Sequence, residues 1–283
     1  MNTLIPENLY GVIGWPLEQT LSPLIHNAGF QALAIPAAYY RWNIDPDSLR
    51  EFIEAFRTLL ISGCSVTIPH KKAILTYLDS QSETTKLAGA ANTLLWREGV
   101  LYGDNTDVAG FLKPLEKLNP DSVLMLGAGG AAGAVAAGLI LKGCRNVRIA
   151  SPGDRRQYEL ADKTGFRAIP WRDRYNEPAS LTINCTPMGM KGKYLDESPY
   201  DFAVAPKIKG GVAYDLVYNP LWTKFLREAL ANGWNTISGA EMFYFQADGQ
   251  FRLWTGRDLP DAARDALYRA LGAETYPLAE ADR

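Results

Sequence analysis

The ten residues Val123-Leu124-Met125-Leu126-Gly127-Ala128-Gly129-Gly130-Ala131-Ala132 decide the fold. Their bulky apolar start predicts a short buried strand, and the glycines that follow predict a tight turn. In a dinucleotide-binding unit Gly127 would permit the turn, Gly129 would let the backbone approach a pyrophosphate, and Ala132 would let a helix pack closely on the strand. The N–H groups at the start of that helix would then face the anion. The pattern favours a dinucleotide site, with a purely structural glycine turn as the alternative.

The uncharged segment Ser122–Leu141 is long enough to span a membrane. However, alanine and glycine make up most of it, and the bulky apolar run at its start, Val123–Leu126, is short. A buried strand followed by a glycine turn accounts for this composition better than a membrane helix does. We therefore predict no membrane span and no membrane partner.

Strand-like and helix-like segments alternate on both sides of the glycine turn, which is typical of α/β proteins with a mainly parallel sheet. The strand-like segments are Tyr10–Ile13, Ala38–Ile44, Cys64–Ile68, Thr93–Trp96, Val100–Tyr102, Val123–Leu126, Val147–Ala150, Leu181–Cys185 and Val212–Leu216. The helix-like segments open at Ser22, as a helix cap, and at Asp45, and include Pro220–Gly233, Glu241–Trp254 and Asp261–Leu271. We therefore predict an α/β fold with two α/β domains, an N-terminal domain with a mainly parallel sheet and a Rossmann-like nucleotide-binding domain.

Composition and charge narrow the chemistry. The chain has 283 residues, enough for two ordinary domains, and its 29 basic and 31 acidic residues give a net charge of −2. That charge provides no general attraction to nucleic acid, so we predict no nucleic-acid partner. Only two histidines are present, His26 and His70, which excludes a histidine-rich metal site, and we predict no metal. An acid/base catalyst is then expected among the lysines, carboxylates and tyrosines.

The three cysteines, Cys64, Cys144 and Cys185, are widely spaced and form no CxxC pair. This spacing predicts neither a zinc site nor a disulfide framework. Reduced thiols fit a cytoplasmic protein, which is the location that we predict.

Several polar clusters lie on loops or beside predicted strands, where the active-site residues of α/β folds gather. Thr20 and Ser22 place two hydroxyls on a loop leading into a helix, an arrangement that can bind a small carboxylate. Helix capping would account for Ser22 but not for Thr20. Lys71 follows a predicted strand, and Asn92 and Asp107 lie beside the next two. Taken singly, Lys71 and Asp107 would more often be surface charges.

Together these clusters resemble the shikimate dehydrogenase family over nearly the whole chain. The motifs that carry the resemblance are Gly14-x-Pro16, Thr20-x-Ser22-Pro23, Val66-Thr67-Ile68-Pro69-His70-Lys71, Gly89-Ala-Ala-Asn92-Thr93, Gly103-Asp-Asn-Thr-Asp107, Gly127-Ala-Gly129-Gly130-Ala131, Asn184-Cys-Thr186-Pro187-Met-Gly189-Met190, Asp215-Leu-Val-Tyr218-Asn219-Pro220 and Gly239-Ala-Glu-Met242 with Gln246. The agreement of so many clusters in one order makes the resemblance highly specific.

The resemblance implies an oxidoreductase that reduces 3-dehydroshikimate reversibly to shikimate with NADP, in the route to aromatic amino acids. It implies a substrate domain over residues 1–104, completed by C-terminal helices within residues 240–283, and a nucleotide domain over residues 105–239. It makes Lys71 the catalytic acid/base and Asp107 its partner. Because ketone reduction needs a proton for the developing alkoxide, an ammonium suits this role. We interpret Asp107 as an orienting and hydroxyl-binding group, and both histidines as packing or hydrogen-bonding residues.

The same resemblance names the residues that bind substrate and cofactor. Those for the substrate carboxylate are Thr20, Ser22 and Tyr218, and those for the ring hydroxyls are Thr67, Asn92, Asp107 and Gln246. Those for the cofactor are Gly127, Ala128, Gly129, Gly130, Ala131, Ser151, Arg156, Thr186, Leu216 and Gly239.

Three departures from the family pattern bear on specificity. Gln19-Thr20 stands where the family usually has His-Ser, and Ser65 stands where it usually has Asn. The family's Asn-Arg-Thr-x-x-Arg stretch is here Ser151-Pro-Gly-Asp154-Arg155-Arg156, in which only the last arginine aligns. Asp154 comes three residues too late to be a convincing partner for an NAD ribose. These residues by themselves leave the phosphate state of the cofactor open. NADP is the cofactor that the resemblance implies, with NAD as the alternative.

The same residues allow two alternative functions. The changes at Thr20 and Ser65 favour, as a second possibility, an enzyme acting on quinate or a related polyhydroxy ring acid. A ligand sensor without activity would have no need to keep both Lys71 and Asp107. The expected partner is a small-molecule substrate, and the chain is expected to be a monomer or a homodimer.

Overall fold

The computed structural model describes residues 5–18, 20–153 and 155–273. The chain divides into two compact units: the first comprises the chain as far as Ala109 together with the segment from Tyr244 onward, and the second comprises Gly110–Phe243. Both breaks lie inside helices, at Thr106–Leu112 and at Gly239–Thr255. The breaks expected from the motifs, after residues 104 and 239, lie at the starts of these two helices.

The first unit alternates strands with helices over its N-terminal part. The strands are β1 (Asn8–Gly14), β2 (Ala37–Asn43), β3 (Gly63–Val66), β4 (Ser80–Gln81), β5 (Thr93–Arg97) and β6 (Val100–Asp104). The helices are α1 (Ser22–Ala32), α2 (Leu49–Thr58), α3 (His70–Ala73), α4 (Glu83–Ala88) and α5 (Thr106–Leu112).

The sheet of the first unit has the strand order β2-β1-β3-β5-β6-β4. β1 pairs in parallel with β2 and β3, and β4 pairs in parallel with β6, whereas β5 runs antiparallel to both β3 and β6. β5 and β6 form a hairpin closed by Glu98 and Gly99, and this hairpin is the antiparallel part of a mainly parallel sheet. α2 covers the sheet with Phe52, Ile53 and Phe56, which share one face of the helix at i, i+1 and i+4 and are buried.

The second unit contains the glycine turn. Its strands are β7 (Val123–Leu126), β8 (Val147–Ala150), β9 (Arg167–Ala168), β10 (Leu181–Asn184), β11 (Val212–Asp215) and β12 (Asn235–Ile237). Its helices are α6 (Ala132–Leu141), α7 (Arg156–Thr164) and α8 (Lys224–Ala231), followed along the chain by α9 (Gly239–Thr255) and α10 (Asp261–Ala270). Short 3-10 helices lie at Pro46–Ser48, Ile74–Tyr77, Lys113–Leu115 and Trp171–Tyr175.

The sheet of the second unit is parallel throughout, in the order β12-β11-β10-β7-β8-β9. Side chains of β7 alternate between its two faces: Val123 and Met125 join one hydrophobic cluster, and Leu124 and Leu126 join another. Both faces are therefore covered, which is why β7 is an unbroken apolar run in the sequence. Leu126 pairs with Asn184 and Asn184 with Asp215, so the ends of β7, β10 and β11 meet at one edge.

One predicted helix begins later than expected. The segment Pro220–Gly233 was predicted to be helical, but α8 begins at Lys224. Thr223 is its N-cap, because the hydroxyl of Thr223 accepts a hydrogen bond from the N–H of Leu226 at 3.3 Å. The chain before Thr223 is therefore a connection from β11 to α8 and does not add turns to the helix.

Candidate active site

Lys71 and Asp107 form a largely buried ion pair in the first unit. Lys71 lies in the single-turn helix α3, and Asp107 is the second residue of α5. Lys71 Nζ lies 2.5 Å from Asp107 Oδ2, and the two side chains are 18% and 8% exposed. Partial removal from water strengthens the attraction between the charges, while the remaining exposure of Lys71 leaves its ammonium accessible to a small molecule. An ammonium held in this way can give a proton to an oxygen atom beside it.

Asn92 joins this ion pair to helix α9. Asn92 Nδ2 donates to Asp107 Oδ1 at 2.8 Å and lies 3.5 Å from Gln246 Oε1. Asn92 Oδ1 accepts from the backbone N–H of Thr106 at 2.8 Å. Because an N–H group can only donate, this contact fixes which way round the Asn92 amide lies. Lys71, Asn92, Asp107 and Gln246, all named from the sequence, are therefore brought together around one carboxylate.

Thr20 and Ser22 lie together at the start of α1. Thr20 Oγ1 donates to Ser22 Oγ at 3.3 Å, and the N–H of Ser22 donates to Thr20 Oγ1 at 3.4 Å. The expectation that Ser22 caps the helix is wrong, because Ser22 is itself the first helical residue and its predecessor Leu21 occupies the cap position without a side-chain hydrogen bond. The Ser22 hydroxyl is thus not used to cap the helix. Gln19 lies outside the described residues.

Thr67 and the two histidines have separate surroundings in the first unit. Thr67 is half-buried after β3, and its N–H donates to the carbonyl of Ile13 at 2.9 Å. His70 is buried, with Nε2 at 2.6 Å from the carbonyl oxygen of Ile44. The rings of His26 and Tyr39 stack with their centroids 4.5 Å apart, and burial lowers the pKa of His26 to about 3. These contacts agree with the interpretation of both histidines as packing or hydrogen-bonding residues.

Two buried residues to which the motifs assign no role, Thr93 and Gln250, contact Asn92. Thr93 Oγ1 donates to Asn92 Oδ1 at 2.7 Å, and Gln250 Nε2 donates to Thr93 Oγ1 at 3.1 Å. Tyr39, in β2, donates from its hydroxyl to Ser65, which in turn contacts Gln250. The spacing of Gln246 and Gln250 by four residues on one helix was the available signal, since i and i+4 share a face.

The glycine turn of the second unit has the backbone geometry that a pyrophosphate needs. Gly127 has a φ of +108°, and a Cβ there would lie 2.9 Å from the backbone carbon and oxygen of Cys185. Gly129 and Gly130 are exposed, and a Cβ on Gly129 would meet its nearest neighbour only at 4.0 Å. α6 starts directly afterwards, and its cap residue Ala131 makes no side-chain capping bond. The N-terminal N–H groups of α6 are therefore suited to an anion, and these residues, with the half-buried Ala128 among them, fit a dinucleotide.

The residues after β8 would face the adenosine end of such a cofactor. Ser151 directly follows the strand and is buried. Arg155 and Arg156 are exposed at the start of α7. Exposed guanidinium groups at this position suit a 2′-phosphate. Asp154 lies outside the described residues.

Thr186 is held by a buried polar network at the ends of β10 and β11. Asn184 Oδ1 accepts from both the N–H and the hydroxyl of Thr186, at 2.9 and 2.7 Å. Asn184 Nδ2 donates to Asp215 Oδ1 at 2.9 Å, and Asp215 also accepts from the hydroxyl of Thr223 at 2.5 Å and the N–H of Val217 at 2.9 Å. Burial raises the pKa of the Asp215 carboxyl to about 7, against these hydrogen bonds, which lower it. Asn184, Asp215 and Thr223 were not among the predicted site residues.

Leu216, Gly239 and Tyr218 lie close to this network along the chain. Leu216 N–H donates to the carbonyl of Asn184 at 3.0 Å, and a Cβ on Gly239 would lie 2.5 Å from the carbonyl oxygen of Val217. Only glycine therefore allows the start of α9 to approach this backbone. The rings of Tyr218 and Phe243 stack with their centroids 4.4 Å apart, and burial raises the pKa of the Tyr218 hydroxyl to about 12. Its place beside Thr20 and Ser22 in one carboxylate site stays a prediction.

Among the residues that the structure describes, no helix is long and apolar enough to cross a membrane, and no three metal-binding side chains cluster. A parallel sheet of Rossmann order with a glycine turn, in a chain that also holds a lysine against a carboxylate, is characteristic of nucleotide-dependent oxidoreductases.

Comparisons with known proteins narrow this class. Residues 12–94 match the model of the shikimate dehydrogenase substrate binding domain. A shikimate dehydrogenase (NADP(+)) of Pelobacter propionicus is 48% identical, with 96% of this chain and all of the relative covered. One of Oleidesulfovibrio alaskensis is 46% identical, with 93% of this chain and 95% of the relative covered. This chain belongs to the shikimate dehydrogenase family.

A solved structure from the same family has the same fold. Shikimate 5-dehydrogenase from Thermus thermophilus, in complex with NADP(H) and shikimate, is 36% identical and superposes with a TM-score of 0.84. The alignment covers 93% of this chain and all of that one. The fold expected from the sequence, two α/β units of which one is Rossmann-like, is thereby confirmed.

Proposed function

We propose that this chain is an NADP-dependent shikimate dehydrogenase, which reduces 3-dehydroshikimate reversibly to shikimate in aromatic amino acid biosynthesis. The observation that carries the proposal is the contact of 2.5 Å between Lys71 Nζ and Asp107 Oδ2 in a protected but accessible position. Relatives named for this reaction, 48% and 46% identical over nearly the whole chain, support it. The first unit would bind the substrate and the second the cofactor.

Lys71 would hold and move the proton. When bound, the nicotinamide supplies the hydride for reduction of the ketone. Lys71 Nζ would give a proton to the oxygen that becomes the alcohol, and in the reverse direction would accept it. Asp107 would keep the ammonium in place with Oδ2, while Oδ1 remains engaged by Asn92. Partial burial of the pair limits competition from water for these contacts.

The remaining polar residues would orient the ring. Asn92, Asp107 and Gln246 form one cluster of donors and acceptors suited to neighbouring hydroxyl groups, with Thr67 assigned to the same role by the family pattern. The hydroxyls of Thr20 and Ser22, together with that of Tyr218, would hydrogen-bond the carboxylate. Binding an anion through neutral donors avoids a buried counter-charge, consistent with the near-neutral chain.

The cofactor would lie on the turn of the second unit. Gly127, Ala128, Gly129, Gly130 and Ala131 would carry the pyrophosphate at the start of α6. Ser151 and Arg156 would serve the adenosine end, and Thr186, Leu216 and Gly239 the nicotinamide end. The exposed Arg155 and Arg156 favour NADP over NAD.

A related reaction is the second candidate. Thr20 and Ser65 depart from the family pattern in the substrate unit, and this favours quinate or another polyhydroxy ring acid as an alternative substrate, with NADP or NAD. Initial rates with shikimate and quinate, each with NADP and NAD, separate the candidates. We expect the highest kcat/KM for shikimate with NADP; a clear preference for quinate with NAD would overturn both the substrate and the cofactor assignment.

Assembly and location complete the proposal. We propose a cytoplasmic protein that is a monomer or a homodimer and acts on a small molecule, without a nucleic-acid or membrane partner. Sedimentation of the purified chain across a range of concentrations measures the oligomeric state. A trimer or larger assembly would contradict the proposal.

A further inference from the structure

A row of buried polar side chains crosses the first unit and ends on Asp107. At its far end the hydroxyl of Tyr39 lies 2.6 Å from Ser65 Oγ, and Ser65 Oγ lies 2.8 Å from Gln250 Oε1. Gln250 Nε2 lies 3.1 Å from Thr93 Oγ1 and 3.0 Å from the carbonyl oxygen of Asn92. The row therefore connects β2, β3 and α9 with the strand β5.

The second half of the row reaches the ion pair. Thr93 Oγ1 lies 2.7 Å from Asn92 Oδ1, Asn92 Nδ2 lies 2.8 Å from Asp107 Oδ1, and Asp107 Oδ2 faces Lys71 Nζ. Gln250 is 1% exposed and Thr93 and Asn92 are 0% and 2% exposed, so water does not compete for these bonds. Burying a polar group without a hydrogen bond costs free energy, so each member of the row depends on its neighbours.

Two backbone groups fix the direction of every hydrogen bond in the row. The carbonyl of Asn92 can only accept, so the amide nitrogen of Gln250 must face it and Gln250 Oε1 must face Ser65. The N–H of Thr106 can only donate, so Asn92 Oδ1 must face it and Asn92 Nδ2 must face Asp107. The hydroxyls between these amides then have one consistent arrangement.

With both amides fixed, the hydroxyls of Ser65 and Thr93 each accept on one side and donate on the other, and the hydroxyl of Tyr39 donates. Tyr39 donates to Ser65, Ser65 to Gln250, Gln250 to Thr93, Thr93 to Asn92 and Asn92 to Asp107. Hydrogen bonds that point the same way polarise one another in a medium of low dielectric constant. The last donor, Asn92 Nδ2, is therefore both oriented and strengthened by groups that do not touch Asp107.

We propose that Gln250 is a positioning residue for the reaction, which acts through Thr93 and Asn92 to hold the Asp107 carboxylate against Lys71. Ser65 and Tyr39 complete the row at its far end and keep the Gln250 amide in its orientation. The inference rests on the proposed function, because it assigns Gln250 to the chemistry of that same site. It also gives Ser65, a departure from the family pattern, a partner in this chain: its short side chain donates to Gln250.

The test compares Gln250→Leu with a matched change in the same helix. Tyr244→Phe removes another buried hydrogen bond of α9, from the Tyr244 hydroxyl to the carbonyl of Leu259 at 2.8 Å, away from the row. We expect Gln250→Leu to lower kcat with shikimate about tenfold, the effect of one lost hydrogen bond in the reacting state, with the KM for NADP unchanged. Tyr244→Phe should lower the melting temperature but leave kcat within about twofold of wild type.

A double-mutant cycle tests whether Gln250 acts through Asp107. In an Asp107→Asn background, Gln250→Leu should change kcat no further, since the carboxylate that it positions is gone. An independent, additional loss of kcat in that background would overturn the proposal. So would kcat for Gln250→Leu within twofold of wild type, or an equal loss of kcat in Tyr244→Phe.

Thr93→Val provides a second variant of nearly unchanged volume if Gln250→Leu does not fold. It breaks the row between Gln250 and Asn92, and we expect a fall in kcat of similar size, about tenfold. Unchanged kcat in folded Thr93→Val would contradict the inference. Failure of the unaltered chain to turn over shikimate would overturn the proposed function together with the inference, whereas normal turnover with an indifferent Gln250→Leu would overturn the inference alone.

Discussion

Each unit of the molecule contains a buried aspartate held by an asparagine, but the two carboxyl groups have opposite surroundings. Asp107 in the first unit accepts from Asn92 at 2.8 Å and faces the ammonium of Lys71. Asp215 in the second unit accepts from Asn184 at 2.9 Å and is otherwise surrounded by neutral donors, Thr223 and the N–H of Val217. An aspartate and an asparagine are thus paired in both units, beside a cation in the first unit and beside neutral donors in the second.

The difference shows what a buried carboxyl group can contribute. Beside a cation Asp107 is available to orient a group that gives and takes protons. Without a cation, burial raises the pKa of Asp215 to about 7, and its hydrogen bonds fasten the Thr186 turn to the start of α8. The first arrangement suits chemistry, and the second suits the shape of a binding loop.

Removing the charge of Lys71 would leave both aspartates without a cation, and we expect the largest effect from this change. Lys71→Met takes away the ammonium proposed to donate the proton, so we expect kcat to fall by at least about 100-fold, while the KM for NADP changes little. Lys72→Met, at the exposed neighbouring position, is the matched control and should keep wild-type kcat. Turnover of Lys71→Met within a few-fold of wild type would remove Lys71 from the proton transfer.

His26, in the first unit, predicts a loss of stability in acid. Burial lowers the pKa of His26 to about 3, so the folded protein keeps it neutral while the unfolded chain binds a proton below about pH 6.5. Its contribution is present above pH 6.5 and is lost as the pH falls, by about 3 kcal/mol at pH 4.5. Denaturant unfolding at pH 7.5 and 4.5 measures it, with His26→Phe as the reference that keeps the stack on Tyr39. Parallel pH dependence of both proteins would contradict the assignment.

Asp215 predicts the opposite sign in the second unit. Because the pKa of its carboxyl is raised to about 7, the folded protein holds a proton that the unfolded chain has already released above about pH 3.9. This contribution is present at low pH and declines as the pH rises towards 7, so wild type should lose about 2 kcal/mol between pH 5.5 and 8. Asp215→Asn, which stays neutral, should lack this loss. An equal decline in Asp215→Asn would show that another group causes it.

The glycine turn predicts the smallest of these effects, on stability and cofactor binding together. Gly127 has a φ of +108°, and an alanine Cβ there would lie 2.9 Å from the backbone of Cys185. Gly165 has a φ of +73°, and an alanine Cβ there would have no neighbour within 4 Å. We expect Gly127→Ala to cost about 1 kcal/mol more in unfolding free energy and to raise the KM for NADP. Gly165→Ala should leave that KM unchanged. Equal unfolding free energies and equal KM values for NADP in the two variants would show that the close contact with Cys185 does not require glycine at position 127.

The motifs predicted the elements of the fold well where a local pattern defines them. The strand β7, the glycine turn and the hairpin of β5 and β6 follow directly from apolar runs and turn residues. The helix expected from Pro220 begins later because Thr223 caps it, and that cap depends on Asp215, a residue of another element. The pattern at Ser22 predicts a cap that the structure lacks for the complementary reason: a hydroxyl before a proline has the local pattern of a cap.

The site was predictable only in part. Lys71, Asn92, Asp107 and Gln246 were named by their motifs, and the structure brings them within hydrogen-bond reach or close to it. Thr93 stands in one of the motifs without a role assigned to it, and Gln250 stands in none. The spacing of Gln246 and Gln250 places them on one helix face, but it does not show which partners Gln250 meets. The function of Thr93 and Gln250 depends on contacts made across 157 and more positions of the chain.

By itself, the sequence determined the class of fold and the family, because strand periodicity, glycine spacing and the motifs are read along the chain. The role of Lys71 in proton transfer stays a prediction. Only the tertiary structure decided which buried carboxyl group faces a cation and which faces neutral donors. It also decided the direction of the hydrogen-bonded row from Tyr39 to Asp107. Desolvation and hydrogen-bond direction arise where distant segments pack together, so no window of sequence contains them.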